Sequence, residues 1–441
     1  MVLPPSHGLV RTPAPHIIDQ SVACQPIASV GRRLSGWNPT VLATPAALVC
    51  FLAIRPRSRA CVRLTMTAQV VAQDKSVEPS NAVVPPSYKR LVASRSGESV
   101  RSVATIRDLQ TPELGEGQVL VQVLTAGING GCETFRARGE RAFAGMQRSS
   151  DYALGSEGAG VVLLAGAATH LKPGDAVAFV GSAFTELDLV NESSCQVLGR
   201  ACDLQPNIFR ESVALRISGL TAIVALELTG EIRAGHTILI TAAAGGTGHF
   251  AVQIAKLNGA KVVATCSTDE KAKLLHELGA DRVVVYTREN LSEVLDKEFP
   301  DGLDLAYEGV GGQMHQTALS HLKEGGRLLQ VGYISHYPHA VEGDPHPDQG
   351  EQLGDAFWGG KKWELPGGKT VYFNVWEGAR RAQGVKPLDR LFDLWKAGDV
   401  RALVDPAEFF GLEQAADAVD YMLSGKSTGK VVLDIQTASS T

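Results

Sequence analysis

The chain has 441 residues, 44% of them hydrophobic and 20% charged, more than one core usually needs and a balance ordinary for a soluble globular enzyme. Its formal net charge of -5 offers no basic footprint for nucleic acid. Seven scattered cysteines, odd in number and without a C-x-x-C pair, argue against a disulfide framework and for a reducing compartment.

Charge is unevenly spread. Residues 1–73 carry seven arginines, no lysine and one acid, Asp19, a net of +6 that leaves -11 for the remainder. Eight prolines and many Ser, Thr and Ala residues complete the composition of an organellar transit peptide, plastid before mitochondrion; the alternative is a disordered extension. Met66 is an alternative start. The apolar run Val41–Ile54 has 14 residues and contains Pro45, too short to span a bilayer, so no membrane span is expected.

After a linker at 74–87, residues 88–211 read as short strands with regular turns. Val119–Leu124 follows the turn-rich Pro112–Gly117, Gly158–Leu164 follows a glycine turn, and Pro173-Gly174-Asp175 precedes another strand. Such spacing predicts a small β-rich, barrel-like domain. From 212 to 375 the period changes. Strands are expected near 237–242, 261–266, 282–286, 303–307, 326–332 and 369–374, with helices near 212–229, 246–258, 269–278, 289–297 and 312–323. That alternation is the doubly wound βαβ pattern, α/β in class, with a parallel sheet. The Gly/Pro/His-rich stretch 336–368 interrupts it on the edge where such sheets bind ligands. A helix (412–423) and a strand (430–435) close a segment at 376–436, and 437–441 is a tail.

The most informative stretch is Ile238–Lys256, an apolar run, a glycine cluster and an amphipathic run. Ala243, Gly245 and Gly248 fill the small positions of a G-x-G-x-x-G-like fingerprint, with Gly246 and Thr247 between the last two. Small residues let the backbone approach a pyrophosphate, and the helix N-terminus supplies N–H groups and partial positive charge. About 20 residues on, where an NAD site usually carries an acid, the chain reads Val263-Ala-Thr-Cys-Ser267. Ser267 can donate to a 2′-phosphate and Lys271 can supply the charge, whereas Asp269 or Glu270, slightly displaced, are the acids that would hold NAD instead.

The motifs AGIN (126–129), GSEGAGVV (155–162), TAAAGGTGHFAVQIAK (241–256), TCSTDEK (265–271), YEGVGG (307–312), GYISHY (332–337) and SGKSTGKVVLDI (424–435), in this order, make the chain similar to the medium-chain dehydrogenase/reductase superfamily. The resemblance is to its zinc-free, quinone-oxidoreductase-like branch and covers about 88–436. It implies a GroES-like catalytic domain (88–211), a Rossmann domain (212–375) and a C-terminal return to the first (376–436). Zinc-using relatives place Cys where this chain has Asn129 and His where it has Ser156, neither a useful zinc ligand here, and Glu157 alone makes no site. His336, His339 and His346 on a Pro/Gly-rich loop read as solvated or lid residues, so no metal is expected.

With no metal and no Ser/His/Asp set, the cofactor must carry the reaction. The resemblance implies NADPH, held by the glycine cluster with Ser267, Lys271, Tyr286, Gly332 and Lys430, and with Thr221 reaching the nicotinamide. It implies reduction of the C=C bond of an α,β-unsaturated carbonyl, a small electrophilic substrate. Tyr337 matches a tyrosine placed near the substrate carbonyl, where a donor stabilises developing charge; the alternative is a tyrosine packing the loop base. Asn129 can orient substrate or nicotinamide, or simply end a strand. A homodimer is expected. Two other readings stay open: a quinone reductase using the same cofactor, and a non-catalytic NADPH-binding protein.

Overall fold

Residues 84–137, 151–337, 362–373, 375 and 386–435 of the computed structural model are described. Residues 1–73, which the composition reads as a transit peptide, most of the linker at 74–87, His339, His346 and residues 437–441 lie outside them.

Eight strands build the first half: β1 (Ser87–Ala93), β2 (Ala104–Gln110), β3 (Gln118–Gly127), β4 (Tyr152–Ala153), β5 (Glu157–Ala165), β6 (Asp175–Val180), β7 (Leu187–Asn191) and β8 (Cys195–Arg200). β1 carries β2 and β4 on its two sides, and β3, β5, β6 and β8 pair in sequence, with β7 also on β3. All of these pairings are antiparallel. The Pro173-Gly174-Asp175 turn is made as its residues dictate. Gly174 takes φ +86°, and the Asp175 carboxylate accepts from Lys172 N at 2.7 Å.

The second half is a parallel sheet of β9 (Thr237–Ile240), β10 (Lys261–Cys266), β11 (Arg282–Val285), β12 (Leu303–Glu308), β13 (Leu322–Gln330) and β15 (Thr370–Tyr372), in the order β11-β10-β9-β12-β13-β15. That is the Rossmann order 3-2-1-4-5-6, as expected. A short antiparallel strand, β14 (Lys362–Glu364), adds an edge on β15 that the period did not announce. Alternation along each strand feeds two cores. Ile238 and Ile240 join the apolar cluster on one face, and Leu239 joins the cluster on the other.

The first face is covered by the helix Asn207–Thr229 together with the helices Gly248–Leu257 and Asp269–Glu277. At 23 residues the Asn207–Thr229 helix is long and apolar enough to cross a membrane. Its residues Val213, Leu215 and Ala222–Leu226 are instead fully buried against Phe250 and Ile254, so it is a core helix. The second face is covered by Leu291–Glu298 and Gly312–Ser320. The latter helix ends before 323 because β13 begins at Leu322.

The chain then returns. The helix Ala415–Leu423 packs into the core of the first half, and β16 (Val432–Asp434) pairs antiparallel with β3. Between them Gly429 bridges to Gly245 in the fingerprint turn, its N–H donating to Ala244 O at 2.8 Å. The return segment thereby roofs the edge of the sheet where β9 and β12 diverge, the switch point of a doubly wound fold.

Candidate active site

A cleft of about 910 Å³ runs along that edge. The strand β9 ends at Ile240, Thr241 follows it, Ala242 takes a left-handed φ of +46°, and the Gly248–Leu257 helix begins six residues on. A non-glycine residue at positive φ costs about 1 kcal/mol or more, and such positions cluster at functional turns. Gly248 lies against the strand end: a β-carbon there would come 2.4 Å from Ala242 O and 2.7 Å from Ala243 Cα. Gly246 differs, because the nearest atom to a β-carbon there is Ser218 Oγ at 3.5 Å. One glycine serves close helix–strand packing and the other leaves the cleft side open, which is the division of labour a pyrophosphate cradle needs. His249 pins the turn from behind. Its Nδ1 donates to Gly245 O at 2.9 Å and its Nε2 accepts from Leu403 N at 3.1 Å, and burial pulls the ring down to about 4, keeping it neutral.

At the far end, Thr268 caps the Asp269–Glu277 helix and accepts from Lys271 N at 3.3 Å. Ser267, Lys271 and Tyr286 all line the cleft there. Lys271 Nζ donates to Gly425 O of the return segment at 2.7 Å, and burial holds its ammonium below the ordinary lysine range. Of the two acids that would favour NAD, Asp269 pairs with Arg288 at 2.5 Å, and Glu270 borders the cleft.

Tyr337 and Asn129 sit at the near end with Gly332. Tyr337 is 7% exposed, edge-on to Phe135 with ring centres 5.5 Å apart and edge-on to Tyr333 at 5.3 Å. Its hydroxyl lies 3.0 Å from where a β-carbon on Gly131 would stand and 3.5 Å from one on Gly332. The aromatic packing fixes the ring, and a side chain at Gly131 would crowd the oxygen. Met314, Met422, Ile334 and Val310 supply apolar wall.

Three placements depart from the expectations. Thr221 is not among the cleft residues; Ser218, one turn earlier on the same helix, is. The π-turn at Leu215–Gly219 shifts the helix face in that stretch, an effect no local pattern announces. Ala243 is fully buried, and its contribution is its small size under Gly248 rather than exposure to the cleft. Lys430 does line the cleft, but its Nζ is held by protein at Glu157 Oε1 (2.6 Å), Asn129 Oδ1 (2.7 Å) and Ser218 Oγ (3.2 Å).

Two more buried acids were not foreseen in these roles. Glu308, ending β12, accepts from Thr241 Oγ1 (3.0 Å), Val310 N (2.8 Å), Gly311 N (2.9 Å) and Gln330 Nε2 (2.5 Å), and so shapes the loop at the switch point. Glu133 accepts from Ser156 Oγ at 3.1 Å, and burial raises its carboxyl to about 7. Beside it, burial pushes the Cys132 thiol up to about 12, which leaves it an inert thiol.

Zinc does not fit here. At the two positions where zinc-using relatives carry ligands, the Asn129 amide oxygen already accepts from the Lys430 ammonium and the Ser156 hydroxyl donates to Glu133, and neither neutral group is a useful zinc ligand. Among the described residues no three His, Cys, Asp or Glu side chains form a metal-binding group. A nicotinamide dinucleotide does fit, on the cradle of Gly245, Gly246 and Gly248 and the groove running to Lys271.

Fold and site together define a dinucleotide-dependent oxidoreductase. The comparisons narrow this. Residues 115–237 match the alcohol dehydrogenase GroES-like domain and residues 246–363 the zinc-binding dehydrogenase model. Prostaglandin reductase-3 of Mus musculus is 34% identical over 366 residues, covering 80% of this chain and 91% of that protein. A probable quinone oxidoreductase of Leishmania amazonensis is 34% identical over 367 residues, covering 80% of this chain and 99% of that one. The solved quinone oxidoreductase of Pseudomonas syringae pv. tomato superposes with a TM-score of 0.61 at 27% identity, over 79% of this chain and 99% of that one. The chain belongs to the medium-chain dehydrogenase/reductase family, in its quinone-oxidoreductase-like branch.

Proposed function

We propose that the protein uses NADPH to reduce the C=C bond of α,β-unsaturated carbonyl compounds. The observation that carries this reading is the Tyr337 hydroxyl, held in the cleft beside Gly131 and Gly332 on the same floor as Asn129. Bound NADPH supplies the hydride. The residues do the rest. Tyr337 donates to the carbonyl oxygen as negative charge gathers on it, and the apolar wall of Met314, Met422 and Ile334 excludes water and strengthens that bond. The choice of NADPH over NADH rests on Ser267 and Lys271 at the end of the cleft, with Asp269 neutralised by Arg288.

A panel of enones and quinones, followed by NADPH oxidation, tests the reading. Enones are expected to turn over with the higher kcat/KM. Turnover of quinones alone would replace the reading by quinone reduction, which the names of two of the three relatives favour. Equal affinity for NADH would overturn the cofactor choice. A homodimer is part of the proposal, checked by light scattering. So is plastid import of residues 1–73, checked by whether that segment carries a fluorescent reporter into the organelle.

A further inference from the structure

Under the floor of the cleft, four side chains from four distant parts of the chain meet around one nitrogen. Lys430 is 1% exposed and Glu157 not at all. An ammonium has three hydrogens and no lone pair, and all three have protein acceptors: Glu157 Oε1, Asn129 Oδ1 and Ser218 Oγ. Lys430 therefore has no hydrogen left for a ligand, although it borders the cleft.

What it does is orient its neighbours. Asn129 stands between a group that only donates and one that only accepts. Its Oδ1 must face Lys430, and its Nδ2 donates to Glu157 Oε1 at 2.7 Å. Because Glu157 Oε1 also takes a Lys430 hydrogen, the amide closes a ring through the hydrogen on its Oδ1 side. The second Nδ2 hydrogen points away from that ring, and Asn129 lines the cleft. Ser218 accepts from Lys430, which leaves its own hydrogen to donate elsewhere, and it too lines the cleft. Glu157 is tied down independently, its Oε2 accepting from Ile217 N at 2.7 Å. A buried ion pair is weak evidence of stabilisation, since apolar replacements are often as stable, so orientation is the better account of this one.

We propose that Lys430 is a positioning residue, a buried cation that turns the free hydrogens of the Asn129 amide and the Ser218 hydroxyl toward the carbonyl oxygen of the substrate. The proposal rests on the reading that the substrate is an activated carbonyl compound. The charge never touches the substrate. It acts through two neutral donors, which it polarises as well as orients.

The test uses the full chain. Lys430→Met leaves the Glu157 carboxylate buried and unpaired and is expected to lower the Tm. Lys430→Met/Glu157→Gln removes both charges and is expected to restore it. In that double variant NADPH affinity, read by fluorescence, should stay within about threefold of wild type, because the aliphatic stem under Gly246 is kept. Single-turnover hydride transfer to an enone should fall about 10²-fold, the usual cost of one oriented oxyanion donor. Adding Asn129→Ala to the double variant should cost less than about threefold more, since groups acting as a unit are not additive. A wild-type rate in the double variant overturns the proposal. So does a full further loss on adding Asn129→Ala, or a fall in NADPH affinity as large as the fall in rate. The wild-type enone rate judges the proposed function separately: if wild type turns over only quinones, the substrate reading fails and the role given to Lys430 fails with it.

Discussion

The two walls of the cleft are built by opposite means. The dinucleotide wall is a contiguous stretch, Thr241–Gly248, whose chemistry is close approach of backbone: a turn with Ala242 at positive φ and glycines where a β-carbon has no room or would intrude. The catalytic floor is made of side chains and is contiguous nowhere. Asn129, Glu157, Ser218 and Lys430 come from β3's end, β5, the long core helix and the return segment, with Lys430 bonded to residues 301, 273 and 212 positions away. Backbone cradles are specified by small residues in a row. Floors of this kind are specified by topology, because only the folded chain brings their members within reach.

The comparison can be broken first at the cradle. Gly248→Ala puts a methyl 2.4 Å from a backbone oxygen that cannot swing aside, and should destabilise the protein by about 3 kcal/mol and abolish NADPH binding. Gly246→Ala meets nothing closer than 3.5 Å, so the melting temperature should hold while NADPH affinity falls about tenfold or more. Thermal melts beside fluorescence titrations decide it. Equal losses of stability in both variants would mean that neither glycine is kept for the cofactor.

On the floor side, Tyr337→Phe removes a hydrogen bond made mainly in the transition state. With an enone, kcat and kcat/KM should fall together by about 10²-fold, and quinone reduction should suffer much less because quinones are already strongly electrophilic. An unchanged enone rate with NADPH binding intact would reduce Tyr337 to the aromatic packing it shares with Phe135 and Tyr333.

This contrast also explains what was legible in the sequence. The parallel sheet was readable because its strands are apolar runs separated by amphipathic ones, and the β-rich half because turn residues punctuate it. β14 was not, being three residues of Lys-Trp-Glu whose pairing depends on β15. At the site, the residues of the cleft wall could be named from local spelling. Glu157 could be read only as a lone carboxylate that makes no metal site, since nothing near it in the chain points to Lys430. The family resemblance points to Thr221 rather than Ser218, and the π-turn at Leu215–Gly219 that sets which residue of this helix borders the cleft has no local spelling.

A smaller effect is expected at the outer end of the cradle wall. Lys271→Ala removes a half-buried ammonium that also ties the return segment through Gly425 O. Losing one charge-assisted contact to a phosphate should raise the KM for NADPH about tenfold, with little change for NADH. Equal effects on the two cofactors would mean that Lys271 only fastens the segment.

The mildest perturbation examines the layer beneath the floor. Glu133 is fully buried, and burial raises its carboxyl to about 7 against an ordinary value of 4.5, with the Arg136 charge and the Ser156 hydroxyl opposing the rise. Below pH 4.5 both folded and unfolded chains hold the proton, and Glu133 adds no pH dependence. Between 4.5 and 7 the folded chain keeps a proton that the unfolded chain has released, so stability falls as pH rises. Above 7 both are ionised and the loss levels off at about 3 kcal/mol from this one group. Glu133→Gln keeps an acceptor for Ser156 and removes the titration. It should therefore match wild type in urea unfolding near pH 4.5 and exceed it near pH 8, with enone reduction little changed because Glu133 does not line the cleft. A variant less stable than wild type at pH 8 would show that the Glu133 charge is needed beneath the floor, and that its field belongs with Lys430 and Glu157 rather than outside their cluster.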